Sequence, residues 1–237
     1  MKPAASESAI EFLRRCDTCS VANAVESFGT RLRNEGFMNG SIRRAFPNIA
    51  PVAGYAVPVK IHCSSPPMSA RAYPDRTNWW NYILTFPQPR IVVIEDADPR
   101  PGAGALVGEV HANILRALGC IGVITNGVVR DIQALQRMGF HVFSSGCVVS
   151  HAYAHIIEIG HPVTVGGLKV APGDLLHGDA CGVLSVPQDL AEKLPAAVAR
   201  NSAREHEIIS LCRSESFSLD KLCAAVNSKP CPDGLPG

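Results

Sequence analysis

At 237 residues, 46% apolar and 18% charged, the chain is long enough to bury a core without staples and too apolar to be a disordered, solvating polypeptide. A formal net charge of +1, with Lys and Arg scattered, gives no electrostatic footprint for nucleic acid or an anionic membrane, so neither is expected as a partner. No segment reaches bilayer-spanning length and MKPAASESAIEFLRRC lacks the apolar run of a secretory signal, which predicts a cytoplasmic protein.

Apolar residues at helical spacing predict helices over 6–15 and 20–28, the second stopped by Gly29. Residues 52–61 read as a strand, in which Pro58 points to an edge or bulge, and 64–76 as a proline-rich loop. A helix capped by Thr77 is expected over 77–84, a buried strand over 90–95, a helix over 105–118 and a strand over 120–125. Asn126-Gly127 turns the chain into a helix over 131–138 with Asp131 at its cap, and a strand follows over 141–144. Further strands are expected at 162–165, 168–170 and 183–186, separated by GG, PGD and HGD turns, before a helix from Pro187 to about Cys212. The tail 227–237 is rich in Pro and Gly and reads as flexible, leaving one domain over 1–226. Helix and strand alternate in the middle and hairpins follow, which predicts an α/β fold with a mixed sheet under helical cover.

The nine cysteines are odd in number and several, such as Cys120 and Cys147, sit in apolar surroundings, so they read as buried free thiols. Cys16 and Cys19 form a C-x-x-C without the second pair a zinc site needs. Gly102, Gly104 and Gly108 miss the spacing of a dinucleotide fingerprint. His151 and His155, one helical turn apart, lack the intervening acid of a zinc protease and read as structural, as do Trp79, Trp80 and Tyr82.

Two strand-to-helix junctions carry the chemistry. At one, Gly108 precedes Glu109, Val110 and His111, whose backbone N–H groups fall in a helix's unpaired first turn, where a carboxylate can dock. At the other, Arg130 and Asp131 are adjacent: a guanidinium able to grip a carboxylate with two parallel bonds, and a carboxylate able to hold a hard cation. Taken singly, Asp131 also reads as a helix cap, Arg130 as a surface ion pair and Glu109 as a favourable charge at a helix start.

The stretch from Gly108 to Asp131, GEVHANILRALGCIGVITNGVVRD, resembles the core signature of the RraA-like / 4-hydroxy-4-methyl-2-oxoglutarate (HMG/CHA) aldolase family: G-[DE]-x-x, then A-x-x-x-G-x-x-G-x-V, then D-G-x-x-R-D. The likeness extends to GYAVPVK near residue 57 and to PGDLLHGDACGVLSVP at 172–187, roughly the middle two thirds of the chain. The resemblance implies a three-layer swivelling β/β/α domain with helical N- and C-terminal elements, assembled as a homotrimer or hexamer. It implies a class II pyruvate aldolase, dependent on Mg or Mn, that cleaves a 4-hydroxy-2-oxo acid and decarboxylates oxaloacetate. The family also contains non-catalytic regulators that bind a protein partner such as RNase E, and these remain the alternative. By the same resemblance Arg130 and the amides of Gly108, Val110 and His111 bind the 2-keto acid, Asp131 ligates the metal and Glu109 holds water on it. An acid from a neighbouring subunit's C-terminal helix enters the site, for which Glu205 is the candidate. The chain departs from the family at Asn126, where an Asp is usual before Gly127, and at Cys181, where a second acid is usual.

Overall fold

The computed structural model describes residues 4–68 and 76–227; the expected tail from 228 onward and part of the proline-rich loop lie outside the described residues. Helix α1 (Glu7–Leu13) opens where the Ser6 hydroxyl accepts from Ala9 N, and it buries Ala9, Ile10 and Leu13. Helix α2 (Thr18–Glu26) starts two residues before the expected position because Asp17 caps it, accepting from Ser20 N at 2.9 Å.

Strand β2 (Val52–His62) is the hub of the main sheet. It pairs in parallel with β3 (Arg90–Asp96), beyond which lie β4 (Cys120–Thr125) and β6 (His141–Ser144), also parallel, and the short antiparallel edge β1 (Arg43–Arg44). On its other side β2 has two successive antiparallel partners. Its first half pairs with β11 (Leu175–Asp179), which continues into the hairpin strand β12 (Gly182–Val186), and its second half pairs with β8 (His155–Ile159). The sequence places Pro58 at an edge or bulge, yet the strand is central. Pro58 fits because it falls between the β11 ladder, which ends at Tyr55, and the β8 ladder, which begins at Val59, so its missing N–H breaks neither.

Side-chain alternation sorts the sheet into layers. Val57, Val59 and Ile61 of β2, with Val92 and Ile94 of β3, face helices α3 (Thr77–Leu84), α4 (Glu109–Ala117) and α5 (Ile132–Arg137) through Trp79, Ile83, Leu115 and Leu135. Ala56, Ile91 and Val93 face the other way, onto the hairpin of β9 (Val163–Val165) and β10 (Leu168–Val170). That hairpin turns on Gly166 and Gly167 with φ +56° and +80°, a tight geometry that side-chain-bearing residues resist. The result is the expected mixed α/β fold in β/β/α layers, with a nearly closed sheet. A third core joins Ala53, Tyr55 and Leu175 to α1, α2 and the C-terminal helices.

Several expectations shift. Thr77 is the first residue of α3 rather than its cap; Arg76 holds the capping position and makes no side-chain capping bond. Helix α4 begins at Glu109, not at residue 105, because Ala105, Leu106 and Val107 are buried in irregular, non-helical chain and owe their apolar character to the core. The HGD segment expected to turn belongs to the fully buried β11. Its polar His177 is satisfied there by Thr18 Oγ1 at 3.2 Å and by the carbonyls of Leu13 and Cys16. Residues 151–155 form no helix, and His155 begins β8. After a 3₁₀ turn at Gln188–Lys193, α6 (Leu194–Arg213) and an unanticipated α7 (Leu219–Asn227) complete the described chain. Cys16, Cys63 and Cys120 are buried free thiols, whereas Cys147 is exposed because its strand β7 (Gly146–Cys147) pairs with β5 (Val128–Val129) outside the main sheet. Among the described residues no helix is long and apolar enough to cross a membrane.

Burial keeps two histidines neutral. His141 accepts from Arg44 Nη2 at 2.9 Å, and burial together with the Arg44 and Arg14 charges pushes its pKa down to about 4; His177 is also lowered, chiefly by burial. In the unfolded chain these rings protonate near the ordinary histidine value of about 6.5. The unfolded state therefore binds more protons below that pH, and stability falls as pH drops from about 6.5 toward 4. The thermal midpoint should decline over this window and His141→Gln should flatten the decline; a wild-type midpoint independent of pH would contradict it.

Candidate active site

The two junctions singled out in the sequence meet at the carboxyl ends of neighbouring parallel strands, β3 and β4, where ligands of open α/β sheets bind. Val107 O accepts from Arg130 N at 3.0 Å, which lays the chain before α4 against the chain before α5. Between them opens a pocket of about 330 Å³ whose wall includes Gly108, Val110, His111, Arg130 and Asp131.

Asp131 is the hinge of this arrangement. It holds the capping position of α5, as expected, but its side chain makes no capping bond there. Its Oδ2 instead accepts from Glu109 N at 3.0 Å, capping the other helix, α4. The reason is its left-handed backbone, φ +58°, which turns the carboxylate away from α5. A branchless acid is among the few residues that tolerate this region, at a cost of about 1–3 kcal/mol. Among the described residues the other non-glycine with positive φ is Ala152, beside His151 in the same pocket wall. Gly108 is extended, so it is needed for space rather than for torsion. A Cβ there would sit 2.5 Å from Asp131 Oδ2 and 2.7 Å from Arg130 Cγ.

Arg130 Nε lies 3.5 Å from Asp131 Oδ1, and both side chains are about one third exposed, at 34% and 37%. Glu109 N–H is already spent on Asp131; Val110 and His111, whose first-turn amides have no partner within the helix, are both part of the pocket wall. Glu109 itself is exposed and its carboxylate does not line the pocket. Glu205 lies elsewhere in the same chain: on α6 against α2, its Oε1 accepting from Asn23 Nδ2 at 3.2 Å.

Two further polar side chains, Arg76 and His151, line the pocket that sequence reasoning did not select. Arg76 donates from Nη1 to His111 Nε2, and burial with the Arg76 charge pushes the His111 pKa down to about 4, so this imidazole is neutral. Nothing in the proline-rich run ahead of TNWW marks Arg76, because the contact joins distant segments. His151 reads as structural in the sequence because no acid stands between it and His155, yet it lies in a loop and lines the pocket.

A hard cation that keeps several waters needs one or two carboxylates plus substrate oxygens. Asp131 fits that role: its carboxylate is partly exposed at the pocket and Gly108 leaves space around it. Among the described residues Cys63, Asp96 and Asp98 also bring three metal-capable atoms within 4.8 Å, all buried, but they do not line the pocket. Their carboxylates are engaged by the chain: Asp96 accepts from the backbone N of Asp98 and Gly102, and Asp98 from Cys63 N, Ser64 Oγ and His62.

The departure at Asn126 has a clear cause. Its Oδ1 accepts from Asp96 N at 2.7 Å and its Nδ2 donates to Asp96 O at 3.0 Å, locking the end of β3 to the end of β4 below the site. A carboxylate makes only the first of these bonds and sets an oxygen against the Asp96 carbonyl. Asn126→Asp should therefore cost about 1–3 kcal/mol, seen as a lower denaturant midpoint; an unchanged midpoint would remove this role.

Residues 18–185 match the RraA-like family model, described as Aldolase/RraA. A Halalkalibacterium halodurans protein provisionally named 4-hydroxy-4-methyl-2-oxoglutarate aldolase is 31% identical over 109 residues, 44% of this chain and 52% of the relative, so the match spans about half that relative's length. An uncharacterized protein from Pseudomonas syringae pv. tomato superimposes with a TM-score of 0.73 at 23% identity, over 97% of each chain. Streptomyces coelicolor RraAS2, described as an unusual member of the RNase ES inhibitor RraA protein family, does so with a TM-score of 0.66 at 19% identity, over 89% of this chain and 100% of that one. At these identities the structural likeness speaks for the fold.

Proposed function

The chain belongs to the RraA-like (Aldolase/RraA) family, and on that premise we propose that it is a divalent-metal-dependent carbon–carbon lyase. Its substrate is a 4-hydroxy-2-oxo acid of the 4-hydroxy-4-methyl-2-oxoglutarate type, cleaved to pyruvate, and it decarboxylates oxaloacetate in the same pocket. The observation that carries this reading is the convergence of the Arg130 guanidinium, the Asp131 carboxylate and the first turn of α4 on a single cavity.

Arg130 grips the carboxylate of the 2-oxo acid with parallel N–H bonds, and the amides of Val110 and His111 add donors from the positive end of α4. Asp131 would hold Mg or Mn, which when bound would supply electrophilic polarisation of the 2-oxo group. Gly108 lets the substrate and both side chains approach the backbone closely. Arg130 and the helix amides hold the pyruvyl half still while the bond to the distal half breaks. Glu109 and a neighbouring subunit's Glu205, in a trimer or hexamer, are the groups assigned to handle water and protons.

Pyruvate release from oxaloacetate and from 4-hydroxy-4-methyl-2-oxoglutarate tests this, with Mg or Mn and then with chelator. Release should require metal, and Arg130→Ala should lower kcat/KM by roughly 10³-fold. Asp131→Asn separates chemistry from folding, because its amide oxygen still accepts from Glu109 N: it should keep the wild-type melting point and lose activity. Gly108→Ala should displace both side chains and cost roughly 10²-fold in rate. No metal-dependent pyruvate across this panel would sink the lyase reading and favour a regulator that binds a protein partner such as a ribonuclease.

A further inference from the structure

The substrate's distal end is legible in a residue that the roles above leave unused. The charged side chains lining the pocket include two guanidiniums, Arg76 and Arg130, and one carboxylate, Asp131. They come from separate elements: Arg130 from the loop after β5, Arg76 from the capping position ahead of α3. Arg76 is partly buried, and within the pocket wall its partner is His111, whose Nε2 accepts from Arg76 Nη1. A neutral imidazole that only accepts on this nitrogen orients a guanidinium without cancelling its charge. A substrate with one carboxylate occupies Arg130 and leaves this second oriented cation without an anion among the described residues, and a partly desolvated guanidinium prefers a planar carboxylate.

Resting on the reading of this pocket as a 2-oxo-acid site, we propose that Arg76 binds the distal carboxylate of the substrate. Arg76 is then a specificity-determining residue that selects dicarboxylic 2-oxo acids, and His111 is its positioning residue.

Binding distinguishes this from turnover. Dissociation constants measured by calorimetry with Mg present, for 2-oxoglutarate against 2-oxobutyrate, should favour the dicarboxylate in the wild type. Arg76→Met should reduce that preference by roughly 10- to 100-fold. Arg76→Lys, which keeps a point charge but not the fork, should restore part of it. A general loosening of the fold weakens both ligands together and leaves their ratio intact. Equal weakening of both by Arg76→Met, an unchanged ratio, or no preference in the wild type overturns the proposal. If the preference depends on Arg76 yet no pyruvate is released from oxaloacetate, the lyase reading fails and the assignment of Arg76 stands.

Discussion

A single hydrogen bond, from the backbone N–H of Glu109 to the carboxylate of Asp131, joins the two halves of the candidate site. It runs from the start of one helix to the residue ahead of the next, so neither loop is placed without the other. Two conditions make it possible. Residue 131 must accept a left-handed backbone, and residue 108 must have no Cβ, because that atom would collide with both Asp131 and Arg130. The two residues are 23 positions apart in the chain yet answer to one steric constraint.

The sheet puts that constraint where it matters. Parallel pairing of β3 and β4 carries both chains to the same edge, where they leave as loops and return as helices. Asn126 ties the two strand ends together at the last point before the loops begin. Below it, alternate side chains fill two separate apolar layers, so the platform is packed on both faces. Rigid strands under loops tied to one another are what a site requiring fixed angles between a guanidinium and a carboxylate demands.

Much of this was legible in the sequence, for identifiable reasons. The runs RIVVIED and CIGVIT are apolar enough to be strands whatever surrounds them, and Gly108, Arg130 and Asp131 stood out by position at strand-to-helix junctions. Asp131 does stand at the capping position of α5, but its carboxylate caps α4 instead, a contact between distant segments that a local reading does not reach. Ala105, Leu106 and Val107 mimicked a helical face because burial, not periodicity, dictated them. His177 hid a central strand, since the carbonyls that satisfy it belong to residues more than 160 positions away. Arg76 was invisible for the same reason: its meaning comes from His111, across a fold the sequence does not spell out.

The dual engagement of Asp131 bears on how motifs of this kind are read across a family. An acid that ties one helix to the next loop has a reason to persist that owes nothing to turnover. A relative stripped of all chemistry would still gain from retaining it, and would still present the Arg-Asp pair to anyone scanning its primary structure. The dipeptide by itself therefore does not separate enzymes from non-enzymes; the groups that serve only the ligand are the more discriminating markers.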